Sequence, residues 1–166
     1  MKHKINLQIQ PIGEVAGETL NQLASDLKKI FGETEILEAI PILESAYNPG
    51  RDQYLIDDFL QEVKLTSSGH VLGVTEVDLY TPHLNFVFGQ AELPGRAAVI
   101  SLNRLHHDEA EVFYSRMRKE AVHELGHTLG LKHCEVVHCV MHFSNSLMDT
   151  DIKLEIFCEK CAKLLA

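Results

Sequence analysis

The apolar positions of the chain switch between two periods. Ile5, Leu7 and Ile9 alternate with polar residues and stop at Pro11-Ile12-Gly13, the pattern of a strand that ends in a turn. From Glu14 to Phe31 the apolar residues Leu20, Leu23, Ala24, Leu27, Ile30 and Phe31 fall at spacings of three and four, and Gly32 follows. This predicts an amphipathic helix with a glycine stop. Thr34 to Ile40 reads as a second strand. Ser45 to Asp52, with Asn48-Pro49-Gly50 inside it, reads as a loop, and Gln53 to Leu65 as a second helix through Tyr54, Leu55, Phe59, Leu60 and Val63.

Three β-prone runs follow, Val71 to Tyr80, Leu84 to Leu93 and Ala97 to Leu102, separated by Thr81-Pro82 and Pro94-Gly95 turns. A long helix is expected after Asp108, with the acidic run Asp108, Glu109 and Glu111 at its positive N-terminal end. The order β, α, β, α, β, β, β, α implies an α/β (α+β) fold with a mixed sheet and helices packed on it. No repeat, low-complexity tract or linker interrupts the chain. One domain is expected over residues 1–166, with an upper part of about 1–130 and a smaller lower part of about 131–166.

Composition narrows the class. The 166 residues are 45% apolar and 23% charged, which argues against disorder, and the length allows one sizeable core. A net charge of -9 excludes the concentrated positive field that nucleic acids or anionic membranes would require. Met1 to Pro11 lacks the apolar run of a signal peptide, and no stretch approaches the roughly 20 apolar residues of a membrane span. A cytoplasmic monomer whose partner is its substrate is the expectation. Its four cysteines would there be reduced, which favours metal ligation over disulfides.

Chemistry enters at His123-Glu124-Leu125-Gly126-His127, which lies inside a helical pattern. Histidines at i and i+4 lie one turn apart on one face and can share a metal at about 2.0–2.1 Å, with Glu124 beside that metal and free of it. Gly130 can take the left-handed conformation that ends a helix and bring His133 back as a third ligand. Three ligands leave the fourth position open. An open zinc site lowers the pKa of bound water to about 7, and Glu124 can then act as general base during attack on a carbonyl and pass the proton to the leaving amine. At this composition, about one shuffled chain in five thousand would hold all three histidines with Glu124 and Gly130 in place.

The string His123-Glu124-x-x-His127-x-x-Gly130-x-x-His133 matches the extended zinc motif of the metzincins. Cys134, Cys139, Met141 and Cys158-x-x-Cys161 follow it, and the whole run resembles the signature of the archaemetzincins, a family of zinc metallopeptidases. The resemblance covers His123 to Cys161. It implies a metzincin-like zincin fold with a twisted mixed sheet, a long active-site helix and a small C-terminal subdomain holding a second zinc. It also implies that Met141 forms the Met-turn beneath the histidines, where it packs without binding the metal. By position, Phe86 to Leu93 would be the edge strand that binds extended peptide or protein substrate by antiparallel pairing.

Cys134, Cys139, Cys158 and Cys161 form two close pairs, the arrangement that lets four thiolates converge on one structural zinc at about 2.3 Å. Two zinc ions per chain are therefore expected, one catalytic and one structural, joined through the His133–Cys134 peptide bond. His106, His107, His138 and His142 are expected to be ordinary solvated or hydrogen-bonded residues. Asp149 and Lys153 match positions associated with the family but suggest no mechanism by themselves. No tyrosine follows Met141 to stabilise an oxyanion. No latency segment is expected upstream, because the strand pattern begins within the first residues and no cysteine precedes the motif. The rivals are a non-catalytic peptide-binding scaffold on the same frame and a zinc hydrolase acting on a non-peptide amide.

Overall fold

The computed structural model describes residues 4–166; the first three residues of the alternating N-terminal run lie outside it. Strand β1 (Leu7–Ile12) leads into helix α1 (Gly17–Phe31) and β2 (Thr34–Ile36). Two short strands, β3 (Tyr47–Asn48) and β4 (Gln53–Leu55), precede α2 (Ile56–Thr66). Then come β5 (His70–Thr75), β6 (Leu79–Tyr80), β7 (Gly89–Ala91) and β8 (Ala97–Ser101), followed by the long α3 (Ala110–Thr128). Two short helices, α4 (Leu147–Ile152) and α5 (Glu159–Leu165), punctuate the C-terminal segment.

The main sheet has the order β2-β1-β5-β8-β7. Its first four strands are parallel, and β7 closes the edge antiparallel to β8. It is the mixed sheet that the element order predicted. Successive side chains of a strand point to opposite faces, so the alternating residues sort into two cores. Leu7, Ile9, Leu72, Val74, Ala98 and Ile100 pack under α1 and α3, while Ile12, Val71, Ala97 and Val99 pack under α2 with Ile56, Phe59 and Val63. Burial of each large aliphatic side chain contributes about 1.5–3 kcal/mol. The sheet is thereby a rigid platform, with α3 laid across it.

Three expectations are corrected by long-range pairing. Gln53–Leu55, expected as the first turn of a helix, is extended, because Tyr54 and Leu55 pair in parallel with Leu79 and Tyr80 while Gln53 and Tyr54 pair antiparallel with β3. The run Val71 to Tyr80 breaks into β5 and β6. At the break Asp78 binds Arg104 and the Gln53 amide, turning the chain from the main sheet into a small sheet β3-β4-β6. Of Leu84 to Leu93, only Gly89–Ala91 is regular strand, since Val87 pairs instead with Leu79 of the small sheet. Among the described residues no helix is long and apolar enough to cross a membrane.

Candidate metal centre and active site

The last turns of α3 are enclosed on every side: Lys119 to Thr128 are all buried. Within them His123 and His127 stand one turn apart, and each ring is oriented by a backbone carbonyl. His123 Nδ1 donates to the Val140 oxygen at 2.8 Å, and His127 Nδ1 donates to the Leu131 oxygen at 2.6 Å. A carbonyl only accepts, so the protons sit on Nδ1 and the Nε2 lone pairs are left to face each other, 3.2 Å apart. Two nitrogens each 2.0–2.1 Å from one tetrahedral ion would stand about 3.3 Å apart. Burial, which disfavours the imidazolium, lowers the pKa of all three motif histidines, His123 most of all, and so keeps their lone pairs available.

The end of α3 makes the third imidazole possible. Gly130 adopts φ +97°, Leu131 N–H bonds the Gly126 carbonyl and Gly130 N–H bonds the His127 carbonyl, which together form a Schellman cap. The same Leu131 whose amide caps the helix supplies the carbonyl that orients His127. The reversed chain then carries His133 back, with its ring centroid 4.9 Å from that of His127 and 5.3 Å from that of His123. One ligand atom from each of the three histidines lies within 4.8 Å of the others. The donor set fits a zinc ion with an open position.

Glu124 shares a pocket of about 280 Å³ with the three histidines. Its carboxyl is buried and, among the described residues, has no hydrogen-bond partner. Burial, reinforced by Glu120 one turn earlier, raises its pKa well above the usual carboxylate range. Leu84, Phe86, Phe88 and Phe143 supply apolar walls, and no tyrosine lines the pocket. The edge strand β7 runs along it. Gln90 is the strand's hydrogen-bonded partner of Val99, flanked by the Ser101–Phe88 and Glu92–Ala97 bonds, so the intervening peptide groups of Gly89 and Ala91 point away from β8. The expected edge strand is at the expected place but shorter than Phe86 to Leu93.

The cysteines converge below. One sulfur from each of Cys134, Cys139, Cys158 and Cys161 lies within 4.8 Å of the others, and all four are free thiols. Cys134 and Cys158 are 3.7 Å apart, far outside a disulfide and close to the roughly 3.8 Å edge of a zinc tetrahedron with 2.3 Å bonds. The peptide N–H groups of Met141 and Cys158 both donate to the Cys139 sulfur. The Cys161 N–H, directed at Cys158 from the first turn of α5, draws that thiol down to about 7. The set fits a structural zinc. Between the two clusters lies Met141, fully buried, with its sulfur packed against Gly126 of α3 so closely that a β-carbon there would collide with it.

The family model described as Peptidase family M54 matches residues 43–166. The chain belongs to this family of zinc metallopeptidases, the archaemetzincins. Among its relatives, the archaemetzincin of Methanocaldococcus jannaschii is 47% identical over 95% of this chain and 90% of its own. The crystal structure of archaemetzincin from Archaeoglobus fulgidus, complexed with malonate, superposes with a TM-score of 0.91 at 44% identity, covering 96% of this chain and 99% of that one. A zinc-dependent peptidase from Methanocorpusculum labreanum superposes at 0.83 with 25% identity, over 97% of this chain and all of that one.

His106, His107 and His138 behave as ordinary hydrogen-bonded residues. His106 bonds Glu76 and stacks on Phe113, His107 accepts the Glu109 N–H, and His138 faces the Ile152 carbonyl rather than the sulfurs. Glu109 occupies the N-cap position of α3 without a side-chain capping bond, and Glu111 in the first turn pairs with Arg118. Asp149 has a local role: it accepts the Asn145 N–H while its own N–H bonds the Ser146 hydroxyl at the start of α4. Lys153 is the residue whose position the sequence did not reveal. Its side chain is completely buried, against Glu120 and His142 beside His123. A lysine directly after a short helix carries no local sign that it will point inward.

Proposed function

We propose that this family member hydrolyses peptide bonds with His123, His127 and His133 holding the catalytic zinc and Glu124 as general base, while Cys134, Cys139, Cys158 and Cys161 hold a second, structural zinc. The observation that carries the reading is the meeting of three imidazoles, two of them aimed by backbone carbonyls, with an unpartnered buried carboxyl in one open pocket. A zinc bound there would polarise the scissile carbonyl and acidify water. Glu124 takes the proton of the attacking water and delivers it to the departing amine. Its raised proton affinity suits a group that must both accept and give back a proton near neutral pH.

The outward peptide groups of Gly89 and Ala91 hold an extended substrate as one more antiparallel strand, and the aromatic walls receive an apolar side chain beside the cleavage point. The chain works in the cytoplasm as a single-domain monomer, since one chain supplies every residue of both sites and reduced thiols suit the second.

Metal analysis paired with peptide-library cleavage, on the wild type and on Glu124→Ala, tests this. Two zinc ions per chain, with cleavage abolished and zinc retained in the variant, is the expected result. Two zinc ions without cleavage by the wild type would favour a binding scaffold. Cleavage that survives in Glu124→Ala would remove Glu124 from the role of base.

A further inference from the structure

Glu120 and Lys153 form an ion pair, Nζ to Oε1 3.6 Å, with side chains 4% and 0% exposed, whereas every other ion pair among the described residues has at least one more accessible member. Its connections run to both ends of the histidine constellation. Glu120 lies on α3, three residues before His123, and accepts the Thr150 hydroxyl at 3.0 Å as well as facing Lys153. Lys153 Nζ also donates to the His142 carbonyl at 3.2 Å and touches His123 Nδ1 at 3.5 Å. His142 belongs to the turn that presents the Val140 carbonyl to His123, and its own Nδ1 donates to the Cys134 carbonyl at 2.8 Å, next to His133.

Stability alone accounts poorly for such a pair. Withdrawing two charges from water costs several kcal/mol per ion, and buried pairs are often replaced by apolar residues without loss. What an apolar pair cannot do is aim donors at fixed acceptors. We infer that Lys153 and Glu120 are positioning residues for the histidine site: together they lock α4 and the 139–142 turn onto α3, and so hold the Val140 carbonyl that aims His123 and the segment that carries His133. Lys153 and Glu120 bond no cysteine sulfur, so the cysteine site feels the clamp only through the turn that Cys139 shares. The inference rests on the proposal that the three histidines bind zinc, and it adds residues that are neither ligands nor base.

The test compares zinc affinity at each site in the full-length chain, by chelator competition, with Co²⁺ spectra separating thiolate from imidazole ligation. Lys153→Met and Glu120→Gln each leave a buried partner unmatched and should lower the unfolding midpoint. The double variant removes both charges and should regain stability, yet its histidine site should bind zinc tenfold to a hundredfold more weakly than wild type, the range for lost partners of metal ligands, with a smaller loss at the cysteine site, which shares the 139–142 turn. A double variant with wild-type affinity at the histidine site would overturn the positioning role. Should the double variant fail to fold, Thr150→Val removes one bond to Glu120 and keeps both charges; a few-fold loss at the histidine site is expected, and an unchanged affinity would overturn the clamp. If the wild type itself binds no metal at the histidines, the ligand assignment fails and the clamp with it.

Discussion

Residues 4–130 and residues 131–166 are held in place by different means. In the first region the central strands β1, β5 and β8 bury apolar side chains on both faces, and α1, α2 and α3 cover them. The second region has two helices of six and seven residues and leaves Val136, Val137, Met148, Ile152, Leu154, Ile156 and Leu164 exposed. Its inward contacts are the four sulfurs, Leu131, Val140, Met141 and a series of polar bridges: Arg116 to Asp151, Arg118 to Glu155 and Lys153 to Glu120. A segment that buries so little apolar surface needs a staple. The lesson is that the half carrying the third histidine relies on its converging sulfurs and polar bridges for what the half carrying the first two obtains from apolar burial.

The harshest way to break this asymmetry is to remove a sulfur. Cys139→Ser or Cys161→Ser should abolish metal binding at the cysteine site, loosen His133 and lower zinc content at both sites. Metal analysis with hydrogen exchange should show lost protection across residues 131–166 and retained protection in β1, β5 and β8. A variant with full zinc at the histidine site would refute the coupling.

A core truncation asks the reverse question. Leu72, fully buried between β1 and β8 under α1 and α3, should cost about 2–5 kcal/mol as Leu72→Ala, read by denaturant unfolding, with metal stoichiometry unchanged in the folded protein. Loss of zinc from folded Leu72→Ala would mean that the two halves are not separable in this sense.

The gentlest probe is the bridge of Arg116 to Asp151. Hydrogen bonding to Arg116 lowers the Asp151 pKa, so the bridge stabilises fully above the unfolded carboxyl pKa, and that stability is lost as pH falls through the lower folded value. Asp151 is 43% exposed, and solvent screening keeps the contribution below about 1 kcal/mol. Asp151→Asn should therefore lower the unfolding midpoint slightly at neutral pH, with the difference from wild type vanishing under acid. A difference that grows under acid would contradict the assignment.

Much of this was legible in the sequence because the informative patterns are local. The period of two in Leu7 and Ile9 and the threes and fours of Leu20 to Phe31 reflect backbone geometry that acts within a few residues. The same holds for the one-turn spacing of His123 and His127 and for Gly130, whose positive φ ends α3. The cysteine pairs were legible through their spacing alone. What misled was also local: Gln53 to Leu55 carry apolar residues compatible with a helix, and the β-prone run from Leu84 has little regular pairing until Gly89.

The sequence by itself determined which side chains are available for metal and base chemistry, since residue types and short spacings suffice for that. Only the tertiary structure decided how they are aimed. The Val140 carbonyl that orients His123 lies 17 residues away, and the Lys153 ammonium that meets Glu120 lies 33 residues away. The exposed peptide groups of β7 depend on its register with β8. Such contacts form only when distant segments pack, because their geometry belongs to the folded core and no local period records it.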